Sequence, residues 1–449
     1  MTRVLVITGD PIGARMAGPA IRSWNIARVL GAEHEVTLMT TTRLEPVDAP
    51  FRLELVEPGQ DAAFAALHDW AEVIVFQGYA LDQFPVLRST QKVLVADIYD
   101  PLHLEMLEQG RELARATWNL RVSTATRVLN DQLALADFFV CASERQRMFY
   151  LGQLAALGRL TPDAYEHDPH LRRLIDVVPF GLEAQPPARD RPALRGVLPG
   201  IDGESKLLIW GGGVYSWFDP LTLIRAVAEL ARRRPQTRLF FLGTRHPGVE
   251  EMGIVRQSLE LARELGSLDR SVFFNEDWVG YAERGGFLAE ADAGVSTHHS
   301  HVETTFSFRT RMLDYLWAGL PMVTTEGDTF AELTEREGLG LVVPAEDVAA
   351  LGEALERVLY DEEFAATVRQ NVARVREEFV WERVLEPLAA FVRAPARAAD
   401  HAAGRSAPVA GRHRKSHGRR HSIRMFWHYL RAEGLGSALR RVRKRLRGR

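Results

Sequence analysis

Short apolar runs rich in β-branched residues recur along this chain, separated by stretches with helical spacing, and the series restarts midway. Runs that are hydrophobic throughout and alternate with helical segments form parallel sheets covered by helices. In the first half the runs are VLVITG, EVTLMTT, VIVFQG, KVLVADIY, FFVCAS and IDVVPFG. In the second they are LLIWGGG, TRLFFLGT, SVFFNED, AGVSTHH, PMVTTEG and GLVVPAE. The expected fold class is α/β, with two Rossmann-like doubly wound domains facing each other across a cleft. The Pro-, Gly- and charge-rich stretch QPPARDRPALRGVLPGIDGES separates them, so the domains are expected at residues 1–185 and 186–393. The segment EEFVWERVLEPLAAFVRA is expected to cross back and brace the first domain.

A chain of 449 residues, 46% hydrophobic and 26% charged, is long enough for two or three domains. Its single cysteine, Cys141, excludes an intramolecular disulfide and suits a reducing compartment. The opening MTRVLVITGD has too short an apolar run for the core of a signal peptide and reads as a first strand. Eighteen apolar residues never run together, so a cytoplasmic protein without a spanning helix is expected.

Charge is distributed unevenly. Residues 405–449 hold fifteen Lys and Arg against one acid, Glu433, so the overall −3 conceals +14 in the tail and −17 before it. Residues 394–420, dominated by Ala, Gly, Arg, His and Ser, read as a disordered linker. Residues 421–449 interleave Met425, Phe426, Trp427, Tyr429 and leucines with arginines, as a basic amphipathic helix would. Such a helix suits an anionic membrane surface, here the inner face of the cytoplasmic membrane. A solvated tail and a nucleic-acid patch are the other readings. Aromatic interleaving favours lipid, and nucleic acid is not expected.

Ligand groups on facing doubly wound sheets gather at the carboxyl ends of the strands. After the first strand, Gly13, Gly18 and Pro19 lead into a helix whose N-terminus can face an anion. After LLIW come Gly211, Gly212 and Gly213, which let the backbone approach a diphosphate closely. Tyr215, Trp217 and Phe218 follow, either as cleft lining or as packing. Further on, Arg309, Arg311 and Asp314 stand at a helix start. Two cations there oppose the helix dipole unless an anion is bound, which points to a phosphate site; an exposed surface pair is the alternative. His298, His299, His301 and Glu303 have the composition of a metal site, but consecutive residues at a strand end face opposite ways, and no metal is expected.

These motifs resemble the retaining glycosyltransferases of family 4 over roughly residues 1–393. MLDYLWAGLPMVTT is similar to the family's E-A-M-A-x-G-x-P-V-V, VVPFGLE to its V-I-P-N-G-V-D, and GPAIRSWNIARVL to its glycine-led first helix. The resemblance implies the two-domain GT-B fold and a sugar moved, with retention, from a nucleotide-sugar donor to a glycan or lipid-linked acceptor. Cell-surface polysaccharide assembly would be a fitting setting, with no cofactor or metal. It places Asp314 where the family's second glutamate holds the donor ribose, with Gly18, Gly212 and Gly213 toward the donor. Trp278 would lie in the loop that grips the base, and Asp97, Asp100 and His103 beside the acceptor and the reacting sugar. The chain also departs from the pattern. Phe306 stands where the first signature glutamate falls, Glu303 being the nearest acid, and Gly213 and Phe218 replace the usual Arg and Lys. Arg309 and Arg311 are therefore the expected phosphate cations, and His103, Glu303 and Arg309 the expected catalytic groups. The rival readings are an epimerase or phosphorylase on the same fold, and a non-catalytic sugar-nucleotide-binding or scaffold protein.

Overall fold

The computed structural model describes residues 1–14, 16–188, 192–244, 253–277, 279–280 and 283–402. The first sheet contains β1 (Arg3–Thr8), β2 (Glu35–Thr40), β3 (Arg52–Leu55), β4 (Val73–Phe76), β5 (Val93–Asp97), β6 (Phe138–Cys141) and β7 (Ile175–Val177). The second contains β8 (Lys206–Trp210), β9 (Thr237–Phe241), β10 (Val272–Phe274), β11 (Ala293–Ser296), β12 (Met322–Thr325) and β13 (Gly340–Val343). The spatial orders are β3-β2-β1-β4-β5-β6-β7 and β10-β9-β8-β11-β12-β13. Every pairing is parallel; Val4, for example, sits opposite Val36 on one side and Val73 on the other.

This is the two-domain GT-B arrangement of Rossmann-like sheets. Each central strand is covered on both faces, so β1 and β2 are buried at all but their first residue and β4 and β6 along their whole length. The order reverses between β1 and β4 in one sheet and between β8 and β11 in the other. Loops leaving the carboxyl ends of strands at such reversals splay apart and leave a crevice.

The helices Trp381–Val384 and Glu386–Arg393 pack on the first domain. Leu182 and Val380 form a parallel bridge, and a Cβ on Gly181 would lie 2.5 Å from the Trp381 ring. Phe391 stacks on Phe138 with ring centroids 4.3 Å apart, and Arg393 pairs with Glu33 at 2.8 Å.

Residues 394–402 do not follow their composition. Asp137 accepts bonds from Arg397 Nε at 2.8 Å, the Ala398 amide at 3.0 Å and the Leu94 amide at 3.0 Å. Asp400 forms an ion pair with Arg159, whose side chain is fully buried. Polar anchoring thus holds a segment that has little apolar surface to bury. Residues 403–420 of the expected linker and the whole 421–449 tail lie outside the described residues.

Candidate active site

A cavity of about 330 Å³ opens between the carboxyl ends of the two sheets. Its first-domain wall carries Gly18, Tyr99, Asp100 and Glu105; Phe180, Gly181 and Leu182 line the crossing between domains. The second-domain wall is formed by Gly211–Gly213 and by the start of the helix Thr310–Ala318. The glycine loop and the Arg309–Asp314 segment therefore meet in one groove.

Gly212 has φ +79°, a left-handed conformation that favours glycine. Arg311 approaches the loop from the 310–318 helix and donates from Nη2 to the Gly213 carbonyl at 2.7 Å. Its guanidinium lies 3.9 Å over the Phe218 ring and 4.3 Å over Trp210. Nη1 is buried without a hydrogen-bond partner, and among the described residues no carboxylate lies within ion-pair distance of the side chain. Arg311 is 8% exposed, and burial pulls its pKa from 12.5 down to about 10. A buried cation with a vacant donor beside a glycine loop is an anion-receiving arrangement.

Arg309, two residues earlier, is differently placed. Its Nη1 and Nη2 grip Glu303 Oε1 and Oε2 at 2.9 and 2.7 Å, with both side chains about 5% exposed. Each therefore neutralises the other, and Arg309 is not a free phosphate cation here. Asp314 lines the cavity but is tied to Arg284 at 3.0 Å, while Arg284 covers the Trp317 ring at 4.6 Å.

On the first-domain side, Gly18 opens the 13-residue helix Gly18–Leu30, whose N-terminus meets the cavity. A Cβ there would touch nothing within 4 Å, so packing alone does not demand glycine. Asp97 is buried at the end of β5, held by Arg22 at 2.7 and 2.9 Å and by Gln77 at 2.7 Å. That network also ties Arg22 to the Val178 and Pro179 carbonyls and braces the sheet; it does not border the cavity. His103 is likewise outside the lining. Its ring stacks on Phe149 at 5.6 Å between centroids, and burial pushes its pKa down to about 4. The imidazole is therefore neutral at physiological pH and packed on Phe149 outside the cavity lining.

Asp100 does border the cavity, together with Glu105, which sequence reading passed over. Asp100 is exposed at the mouth of the groove, yet desolvation by the surrounding walls, and then the Glu303 charge, raise it to about 6; desolvation and Asp100 push the half-buried Glu105 upward too. Glu105 left only the faint signal of an acid in the first turn of the helix Leu102–Gln109. Of the histidines, His298 lies 3.4 Å from Asp328, His299 is 2.8 Å from Glu346, and His301 caps the Thr304 amide. They face three different partners. Trp278 lies outside the described residues.

Known proteins share both the fold and part of the sequence. Residues 205–361 match the family model of group 1 glycosyl transferases. The D-inositol 3-phosphate glycosyltransferase of Saccharomonospora viridis is 26% identical over 311 residues, covering 65% of this chain and 69% of that protein. Among solved structures, sucrose-phosphate synthase from Thermosynechococcus elongatus superposes with a TM-score of 0.64 at 17% identity, over 88% of this chain and 98% of its own. Anabaena HepE, solved with UDP and glucose, gives 0.63 at 15% identity over 88% and 100%. At such identities the structural likeness carries the fold alone.

Fold, matched segment and curated relative together make this chain a glycosyltransferase of GT-B architecture. Its second domain is the part similar to the group 1 enzymes.

Proposed function

We propose that this enzyme transfers a glycosyl group, with retention, from a nucleoside-diphosphate sugar to the hydroxyl of a glycan or lipid-linked acceptor. The observation that carries the donor assignment is Arg311, a buried guanidinium without a carboxylate partner among the described residues, seated against Gly211–Gly213 in the interdomain cavity. In the reaction the acceptor oxygen bonds to the anomeric carbon as the carbon–oxygen bond to the diphosphate breaks. The electron pair of that bond stays on the phosphate oxygen, which also receives the acceptor proton. Charge develops on the diphosphate, and a preorganised cation and amide donors stabilise it most when that charge is greatest. No metal or cofactor is invoked. Retention is supported by the likeness of residues 312–325 to the retaining signature. Asp100 and Glu105, facing the donor side across the groove, suit the hydroxyls of the acceptor or the reacting sugar.

The basic amphipathic segment 421–449 supports a cytoplasmic enzyme peripheral on the inner membrane face, in cell-surface glycan assembly. Thermal-shift titration with a panel of nucleoside diphosphates tests the donor site, because a ligand of the folded state raises its melting temperature. No shift with any of them refutes it. Anomeric configuration of the product by NMR tests retention. Deletion of residues 405–449 should release the protein from anionic liposomes; unchanged co-sedimentation removes the membrane role.

A further inference from the structure

The helix Thr310–Ala318 touches the glycine loop twice, and only one of those contacts is a cation. Arg311 holds the Gly213 carbonyl. One turn on, Tyr315 is fully buried with its ring packed beneath β8 and β11. A Cβ on Gly294 would lie 2.3 Å from the Tyr315 Cγ, and one on Gly211 would lie 3.3 Å from Cε1. The phenol therefore occupies a slot that two glycines leave open. Its hydroxyl accepts from the Gly211 amide at 2.9 Å and donates to the Val295 carbonyl at 2.8 Å, which uses the donor and fixes the group's orientation.

We infer that Tyr315 is a positioning residue for the donor's diphosphate: by engaging the Gly211 amide it sets which loop amides face the cavity. Gly211 is buried, whereas Gly212 is exposed and Gly213 half-buried on the cavity wall. Among the described residues the Gly212 and Gly213 amides have no protein acceptor, and the Gly213 carbonyl is turned to Arg311 and, at 3.3 Å, to Trp210 Nε1. Residues four apart lie on one face of a helix. A single face of this helix thus pins the loop's first amide and its last carbonyl, leaving the two intervening amides for an anion. This rests on the diphosphate reading above.

The test is Tyr315→Phe, which keeps the ring and removes the hydroxyl. Binding of UDP, GDP and ADP is measured by calorimetry against that of the corresponding nucleosides. In the wild type the best diphosphate should bind far tighter than its nucleoside; equal affinity refutes the diphosphate site itself. In the variant the diphosphate should weaken by on the order of tenfold while the nucleoside is unchanged, as expected when a loop amide loses its fixed partner. An unchanged diphosphate, or equal weakening of both ligands, overturns the inference. Should the variant not fold, amide exchange on the wild type decides. Gly211 should be protected before nucleotide is added, and Gly212 and Gly213 only afterwards. Free exchange at Gly211 without ligand refutes the proposal.

Discussion

Replacing Arg311 and Arg309 in turn by Met should give opposite outcomes, although the two stand two residues apart. Keeping Arg311 charged in its buried position costs roughly 3 kcal/mol, the free-energy equivalent of a guanidinium drawn from 12.5 to about 10. Arg311→Met removes that cost, together with one charge-assisted hydrogen bond to Gly213, worth roughly 1.5–3 kcal/mol. The methionine stem preserves much of the packing against Phe218. These contributions nearly cancel, so the free enzyme's stability should move by no more than about 1 kcal/mol. Arg309→Met instead strands Glu303, 3% exposed, without its partner, and should cost about 3–5 kcal/mol. For a domain of this size that is a fall of roughly 6–20 °C against a few degrees at most. Nucleotide binding should separate the variants further, since Arg311→Met should weaken the preferred nucleoside diphosphate on the order of 30-fold. Scanning calorimetry of both free variants and titration of Arg311→Met give the answer. If Arg311→Met is as unstable as Arg309→Met and binds nucleotide like the wild type, the reasoning fails.

Asp100 gives a pH signature. Its folded pKa, about 6, lies above the unfolded 3.8, so the folded chain holds that proton longer and stability falls as pH rises through this interval. Asp100→Asn should therefore gain stability on the wild type across that window; parallel melting profiles would refute the raised pKa. Asp400→Ala leaves the Arg159 guanidinium buried without its carboxylate and should cost about 3–5 kcal/mol by chemical denaturation, while a loss below about 1 kcal/mol would show the 394–402 segment to be dispensable. His103→Phe retains a ring against Phe149 and should leave kcat nearly unchanged; a kcat loss of 100-fold or more would return His103 to the chemistry.

Much of the architecture was legible because central parallel strands are covered on both faces and read as unbroken apolar runs. β3 escaped for the complementary reason: Arg52-Leu-Glu-Leu55 lies at the sheet edge, where charges are tolerated and no such run is needed. The meeting of the glycine loop with the 310–318 helix start could be anticipated, since both follow strands at the reversal of one sheet. The contrast between Arg309 and Arg311 could not. Arg309 is the non-helical residue that precedes the helix Thr310–Ala318 and Arg311 lies in its first turn, so the two side chains meet different surroundings. One finds Glu303 and the other the Gly213 carbonyl. His103 was misjudged similarly, because proximity in sequence to Asp100 says nothing about the face that the 102–109 helix turns toward Phe149. Residues 394–402 stayed hidden because polar anchors, unlike apolar ones, leave no periodic trace.

The return of residues 381–393 to the first domain has a consequence for synthesis. Phe138, Val4 and Val36 share one core with Trp381, Leu388 and Val392, so the first domain lacks part of its interior until residues 381–393 have been made. The second domain, translated later, can close its own sheet sooner. A growing chain would therefore carry an unfinished first domain past the completion of the second. A ribosome that stalls between residues 377 and 380, once the second domain's helices Val348–Tyr360 and Glu362–Arg376 are made, leaves the older half exposing apolar surface, and that half would be the one chaperones hold.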